Sequence, residues 1–260
     1  MNLDLQGKVI LVTGGAQGIG AAIVRFCAKE GAVAVILDRD QKAIRDLQLD
    51  LSQKGLATEA VVVELTDHEN THVATEEIGR KFGHIDGLVN NAGVNDGVGL
   101  ENGSPERFAT SLKHNLLHYY AMTRSVTPFL QKSHGCIVNI ASKVAVTGQG
   151  GTSGYAAAKG AILELTIDWA IELSSHGIRV NAVVPAEVMT PQYERWLNGF
   201  DDPQGELRAI AARVPLGQRL TDVDEIAAMT AFLLSPKAAS ITGQHLFVDG
   251  GYAHLDRALT

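Results

Sequence analysis

Short apolar runs alternate with amphipathic stretches along almost the whole chain. The runs are rich in β-branched residues and lack polar alternation, which is typical of strands that are buried on both faces. We predict strands at residues 9–13, 32–37, 60–63, 87–90, 136–140, 178–184 and 246–248. The stretches between them predict helices at residues 21–29, 41–53, 70–82, 105–131, 155–173 and 224–234.

This alternation predicts a single-domain α/β fold that spans residues 1–260. Strands separated by helices form a doubly wound (Rossmann) sheet of seven parallel strands, with helices on both faces. Only the region at about 190–215 fits the alternation poorly, and it holds the aromatic residues Tyr193, Trp196 and Phe200. We expect this region to be a substrate-specificity segment.

Composition narrows the class of protein. The 260 residues contain 22 Lys and Arg against 29 Asp and Glu, and the net charge of −7 disfavours binding to nucleic acid or to an anionic membrane. No run reaches the ~18 apolar residues of a membrane span, and the first residues lack the segments of a signal peptide. The two cysteines, Cys27 and Cys136, are predicted to be buried thiols in a reducing compartment. We therefore expect a cytoplasmic protein, and we predict no metal.

A glycine-rich turn joins the first predicted strand to the first predicted helix. Gly14, Gly18 and Gly20 lack a Cβ atom, so the turn can be tight and its backbone can approach a pyrophosphate. The start of the following helix offers free N–H donors and positive potential. The position of this turn predicts a dinucleotide site.

The acidic residue that ends the second strand bears on the choice of cofactor. Asp38 lies 18 residues beyond Gly20, where a carboxylate accepts hydrogen bonds from ribose hydroxyls and repels a 2′-phosphate. The adjacent Arg39 could partly offset that repulsion, and Asp38 could also cap the helix that follows. We predict NAD rather than NADP.

Four polar residues further along fit the chemistry of alcohol oxidation. Tyr155 and Lys159 share one helix face, and a lysine cation lowers the pKa of a tyrosine, which is otherwise about 10. Ser142 can bond the reacting oxygen, and Asn115 can hold a water that links Lys159 to solvent. Taken alone, each also has a structural explanation, as an interface aromatic, a solvated charge, a cap or a buried polar residue.

Together these motifs resemble the short-chain dehydrogenases/reductases over essentially the whole chain. The matching residues are Thr13-Gly14-x-x-x-Gly18-x-Gly20, Asn90-Asn91-Ala92-Gly93, Asn115, Ser142, Tyr155-x-x-x-Lys159, Asn181 and Pro185 through Thr190-Pro191. The resemblance implies that Tyr155 is the general acid/base and that Lys159 lowers its pKa and binds the nicotinamide ribose. It also implies that Ser142 orients the substrate oxygen and that Asn115 completes the proton relay.

The same resemblance implies a set of cofactor contacts and a homotetramer, with the tail from Val248 onward near a subunit interface. Glu64 stands where the family usually has an aspartate near the adenine, and Ala186-Glu187 replaces a glycine-led pair, which puts a carboxylate at the nicotinamide end. The expected cofactor contacts are Gly14, Gln17, Gly18, Ile19, Gly20, Asp38, Arg39, Glu64, Leu65, Asn91, Ala92, Gly93, Tyr155, Lys159, Pro185, Val188 and Thr190.

The substrate side has no motif and is predicted from the remaining polar and aromatic residues. Those expected to face the substrate are Asn95, Asp96, Ser142, Gln149, Thr152, Tyr155, Glu187, Tyr193 and Trp196. Such a set suits a polyol ring better than a steroid or an acyl chain, although any one of them could be a solvated loop residue. The segments 148–155, 185–191 and 249–257 resemble the bacterial L-fucose (aldose) dehydrogenase branch. This implies oxidation of an L-fucose-like sugar at C1 to the lactone.

Two alternatives stay open. A 3-oxoacyl-carrier-protein reductase, or another secondary-alcohol dehydrogenase of this type, has the same catalytic residues. Such a reductase should prefer NADPH and present basic residues to its acidic carrier, so Asp38 and the net charge of −7 disfavour it. A non-catalytic NAD-binding sensor has no need for all four catalytic residues.

Overall fold

The computed structural model describes residues 2–255, and a sheet of seven parallel strands runs through its centre. The strands are β1 (Val9–Thr13), β2 (Val33–Asp38), β3 (Thr58–Val62), β4 (Gly87–Asn90), β5 (Cys136–Ile140), β6 (Arg179–Pro185) and β7 (His245–Val248). Their order is β3-β2-β1-β4-β5-β6-β7, and every neighbouring pair is parallel. The winding reverses between β1 and β4, and doubly wound folds bind ligands in the crevice at the carboxyl ends of such strands.

Helices cover both faces of this sheet. They are α1 (Gly18–Lys29), α2 (Gln41–Gln53), α3 (His68–Phe82), α4 (Pro105–Leu112), α5 (His118–Ser133), α6 (Val144–Thr147), α7 (Ser153–Ser174), α8 (Pro191–Leu197), α9 (Pro203–Ala211) and α10 (Val223–Leu234). A π-helical turn (Lys113–Leu117) joins α4 to α5, and a 3-10 turn (Pro236–Ala238) follows α10.

Successive strand residues fill two cores on opposite faces of the sheet. Ile10 and Val12 of β1 pack in the core that includes α1, α2 and α10, whereas Leu11 packs in the core that includes α3, α5 and α7. Both faces are therefore apolar, as the continuous runs predict, and the doubly wound parallel fold is confirmed. Cys27 and Cys136 are buried free thiols, and burial raises their pKa values to about 12 and about 11.

The structure departs from the predicted elements in three places. The predicted helix 105–131 is interrupted by the π-helical turn. The poorly fitting region contains α8 and α9, each of which begins with a proline after a polar N-cap, Thr190 or Asp202. Strand β3 begins earlier than predicted because Thr58 pairs with Ala34 at the sheet edge, where one side of the strand can stay polar.

Part of the predicted domain lies outside the described residues. Met1 and residues 256–260 are not among them, including Asp256 and Arg257 of the tail segment quoted above. Within residues 2–255, no helix has both the length and the hydropathy that a membrane crossing requires. In the same part of the chain, no three His, Cys, Asp or Glu side chains are grouped so that they could hold a metal ion.

Candidate active site

The glycine turn leaves the start of α1 open to an anion. Gly14 and Gly18 have φ values of +60° and +53°, in the left-handed region that favours glycine, and a Cβ atom on Gly20 would lie 2.1 Å from the carbonyl oxygen of Gly14. Gln17, the N-cap of α1, makes no side-chain capping bond, whereas Asp40 caps α2. The amide groups of this first turn are therefore left for another acceptor, which fits the pyrophosphate of a dinucleotide.

Two further loops lie against the glycine turn. Asn91, which follows β4, donates from Nδ2 to the carbonyl oxygen of Gly14 at 3.1 Å. A Cβ atom on Gly14 would come within 3.0 Å of Ala92 Cα, and one on Gly18 within 3.3 Å of the Thr190 methyl group. The loops after β1, β4 and β6 thus meet in one groove, as the predicted contacts require.

Asp38 lies at the end of β2 beside this groove. Its Oδ2 accepts from the backbone N–H of Ala16 at 3.1 Å, and its Oδ1 accepts from that of Asp40 at 3.0 Å. The sequence left open that Asp38 caps α2, but the N-cap of this helix is Asp40. Arg39 turns to Glu64, with 3.0 Å between its Nη1 and Glu64 Oε2. This ion pair is exposed, with 73% of the Arg39 side chain and 44% of the Glu64 side chain accessible.

The residues predicted at the adenine end follow β3. Glu64 also accepts from the backbone N–H and the hydroxyl of Thr66, at 3.2 and 3.1 Å. Partial burial raises the pKa of Glu64, but hydrogen bonds from Arg39 and Thr66 outweigh it and hold the pKa below its usual value. Leu65 is buried and Ile19, near the start of α1, is half-buried. Glu64 therefore stays ionised and keeps Arg39 in place.

The structure brings the four predicted catalytic residues together. Lys159 Nζ lies 5.6 Å from the centre of the Tyr155 ring, and Tyr155 is hydrogen-bonded to Ser142. A Cβ atom on Gly93 would lie 3.0 Å from Asn115 Oδ1 and 3.6 Å from Lys159 Nζ. The loop after β4 thus passes close to the asparagine and the lysine, and a side chain at residue 93 would crowd Asn115.

Burial controls the charge states of this group in the protein alone. It raises the pKa of Tyr155 to about 12, against the opposing effect of the hydrogen bond to Ser142. It also lowers the pKa of Lys159 to about 7. Lys159 donates to the carbonyl oxygen of Ile140 at 2.7 Å. At neutral pH the tyrosine is therefore neutral, and the lysine is close to the midpoint of its titration.

A second tyrosine, which the sequence interpretation missed, also contacts Lys159. The hydroxyl of Tyr119 accepts from Lys159 Nζ at 3.0 Å and donates to the carbonyl oxygen of Ile140 at 3.0 Å. Burial holds the pKa of Tyr119 well above its ordinary value, so it remains a neutral acceptor. In the sequence, Tyr119 could have been recognised from its position one helical turn after Asn115 in the same helical segment.

The π-helical turn sets the position of Asn115. Its Nδ2 donates to the carbonyl oxygen of Ser111 at 3.0 Å, and its Oδ1 accepts from the backbone N–H of Val94 at 2.7 Å. Ser111 in turn donates from its hydroxyl to Asp96 Oδ1 at 2.9 Å. The wider turn therefore fastens the loop after β4 to the helix, in keeping with the frequent occurrence of π-turns at functional sites.

The predicted substrate residues fall into two groups. Asp96 is held by α4, and Asn95 is exposed and accepts from the backbone N–H of Gly97 at 3.3 Å, so both stabilise their own loop. Gln149 is exposed in the loop before α7, whereas Thr152 is buried at the start of that helix.

The second group clusters around Glu187. The hydroxyl of Tyr193 donates to Glu187 Oε2 at 3.0 Å, and Lys143, which the sequence interpretation did not select, forms an ion pair with Glu187 Oε1. The ring of Trp196 stands edge-on to Tyr193 at 5.2 Å and to Phe200 at 4.9 Å between centroids. Because Lys143 directly follows Ser142, this polar and aromatic group lies beside the catalytic residues.

Comparisons with known proteins match nearly the whole chain. The family model described as enoyl-(acyl carrier protein) reductase matches residues 14–253. The chain is 38% identical over 246 residues to L-fucose dehydrogenase of Mus musculus, covering 94% of this chain and 88% of that protein. It is 34% identical over 250 residues to the 3-oxoacyl-(acyl-carrier-protein) reductase FabG of Thermotoga maritima, covering 96% of this chain and 99% of that one. The crystal structure of Cj0485 dehydrogenase has a TM-score of 0.94 at 43% identity, covering 100% of this chain and 99% of that chain.

Proposed function

The chain belongs to the short-chain dehydrogenase/reductase family, and we propose that it oxidises a neutral sugar, an L-fucose-like aldose, at C1 to the lactone with NAD. Membership makes it an oxidoreductase that acts on alcohols with a nicotinamide cofactor. The proposal adds the substrate and the choice of NAD. The observation that carries it is the Glu187 carboxylate, which accepts from Tyr193 and is paired with Lys143, the residue that follows Ser142.

A buried carboxylate favours a sugar over an acyl chain in this place. The side chain of Glu187 is only 13% exposed, and one lone pair on each oxygen is left after its bonds to Lys143 and Tyr193. Ring hydroxyls can donate to those lone pairs, and the edge-on aromatic residues offer a surface for a C–H face. An acyl chain would leave the two remaining lone pairs without a donor, which costs affinity. The similarity to an L-fucose dehydrogenase supports the same choice.

We propose the following roles for the catalytic residues. Ser142 donates to and orients the C1 oxygen, and Tyr155 takes the proton of the C1 hydroxyl. Tyr155 takes this proton in its phenolate form, whose charge the ammonium group of Lys159 stabilises, and Asn115 completes the relay that carries the proton away. The bound nicotinamide supplies the hydride acceptor. The C1–H and O–H bonds break and a C=O bond forms, so the product is the lactone.

The preference for NAD is proposed from the surroundings of Asp38. Its carboxylate, next to the glycine turn, can accept from a ribose hydroxyl and would repel a 2′-phosphate. The guanidinium of Arg39 pairs with Glu64, so it would have to leave this partner to bind a 2′-phosphate.

Asp38→Ala is expected to weaken NAD binding by roughly 10- to 100-fold, because a hydrogen bond to a charged group is lost. The same change removes the charge that repels NADP, so the ratio of the two dissociation constants should narrow. Titration of both cofactors would measure this. Asp46→Ala is a matched control, since Asp46 is an exposed acid on α2 that pairs with Lys42. An unchanged ratio would contradict the proposed role of Asp38.

The substrate proposal is tested with a panel of compounds. NADH formation should occur with L-fucose, L-galactose or D-arabinose, and the lactone should be detectable as the product. Reduction of a 3-oxoacyl thioester with NADPH, with no aldose turnover, would favour the reductase alternative. Cofactor binding without any turnover would favour a sensor.

We further propose a homotetramer, in line with the expectation from the family. Apolar side chains are exposed on α5 and α7, among them Tyr120, Ile167 and Ile171, the last of which is 74% exposed. Exposed apolar surface of this kind marks contact sites between proteins. Light scattering of the purified protein would give the oligomeric state.

A further inference from the structure

Four residues next to the catalytic group form what we call the Lys143 cluster: Lys143, Glu187, Tyr193 and Tyr252. Lys143 pairs with Glu187, and its Nζ lies 3.9 Å from the centre of the Tyr252 ring. Tyr193 donates to the second oxygen of Glu187. The Lys143 and Glu187 side chains are only 9% and 13% exposed, so this is a largely buried charge pair.

The backbone holds the two charged residues at the edge of the crevice. The N–H of Lys143 donates to the carbonyl oxygen of Pro185 at 2.9 Å, which ties the loop after β5 to the end of β6. The carbonyl oxygen of Glu187 accepts from the N–H of Thr221 at 2.9 Å. Both side chains therefore start from fixed points, one residue after Ser142 and one before Val188. A sugar whose C1 oxygen is held by Ser142 is therefore expected to reach this pair with a neighbouring hydroxyl.

Stability alone does not account for this pair. Burying two charges costs desolvation, and apolar residues of similar volume often stabilise a protein as well or better. The pair also retains hydrogen-bonding capacity. An ammonium group has three donors, and a carboxylate has about four acceptor sites, of which Lys143 and Tyr193 use two. The remaining donor and acceptor sites suit a ligand that both accepts and donates.

The net charge of the cluster limits the kind of ligand. The charges of the ammonium and the carboxylate sum to zero, so an anionic substrate gains no net attraction, and an apolar one leaves their remaining donor and acceptor sites unused. A neutral compound with two adjacent hydroxyls satisfies both, because one hydroxyl oxygen can accept from Lys143 while the neighbouring hydroxyl donates to Glu187.

We propose that Lys143 is a specificity-determining residue that, with Glu187, binds the hydroxyl on the carbon next to the one being oxidised. This inference rests on the proposed sugar oxidation. It assigns the preference for a 2-hydroxy sugar to the Lys143–Glu187 pair.

The test compares L-fucose with 2-deoxy-L-fucose in the intact enzyme. Wild type should favour L-fucose in kcat/KM by at least roughly tenfold, as expected where a buried polar site loses its partner. The double variant Lys143→Met/Glu187→Met removes both charges without leaving one unpaired, so it is the variant expected to fold. It should lose most of the preference, to within about threefold, while its Kd for NAD stays within about twofold. Lys29→Met, an exposed lysine at the far end of α1, is the matched control.

The outcomes separate the two proposals. If wild type oxidises no aldose, the proposed function fails and this inference fails with it. If wild type oxidises L-fucose and the double variant keeps the full preference over the 2-deoxy sugar, only the inference is overturned. The same holds if the double variant loses activity equally on L-fucose, on the 2-deoxy sugar and on simple secondary alcohols, since the pair would then support the catalytic residues rather than the choice of substrate.

Discussion

Tyr155→Phe is expected to lower kcat by roughly 10²- to 10⁴-fold, the usual effect of removing a general acid/base. The phenyl ring preserves the packing at the start of α7, and only the hydroxyl that is bonded to Ser142 disappears. The groove around the glycine turn is untouched, so the Kd for NAD should change by no more than a few-fold. Steady-state turnover with L-fucose and a separate NAD titration would measure the two quantities.

Tyr120→Phe is the matched control for this variant. Tyr120 carries the same side chain on α5, in the surface proposed for subunit contact, and phenylalanine keeps the apolar ring there, so loss of its hydroxyl should leave turnover close to that of wild type. Turnover of Tyr155→Phe at the wild-type rate would show that another group carries the proton, and the roles proposed above would be wrong.

The sequence predicts the sheet and the groove well because both depend on local patterns. Runs that are apolar on both faces identify parallel strands, and in a parallel sheet the residues that follow each strand gather at one edge. The glycine turn after β1, Asn91 after β4 and Ser142 after β5 therefore meet without any knowledge of side-chain contacts.

The parts that were missed depend on contacts between distant segments. Lys143 and Glu187 are 44 residues apart, and they meet because β5 and β6 are neighbours in the sheet. Nothing in the local pattern distinguishes Lys143 from a solvated lysine. The π-helical turn is equally hidden, since it adds one residue to a turn within a continuous helical pattern, yet it fixes the position of Asn115.

Lys159→Met is expected to lower kcat by at least roughly 10²-fold, because it removes the cation that stabilises the phenolate of Tyr155, the form that accepts the proton. Methionine fills a similar apolar volume, so the buried site beside Ile140 should stay packed. The substitution should therefore lower turnover without unpacking the site. The dependence of the free energy of unfolding on pH then tests whether burial lowers the pKa of Lys159.

Burial lowers the pKa of Lys159 to about 7 in the folded protein, while in the unfolded chain it keeps its ordinary value of about 10.5. Between these values the unfolded state binds a proton that the folded state has released, so the contribution of Lys159 to stability rises with pH. The free energy of unfolding of wild type minus that of Lys159→Met should thus increase from pH 7 to pH 9, by at most about 1.4 kcal/mol per pH unit. Urea unfolding of the cofactor-free proteins would measure it. The raised pKa values of Cys27 and Cys136 are common to both proteins and cancel in the difference. A difference that does not vary with pH would contradict the lowered pKa of Lys159.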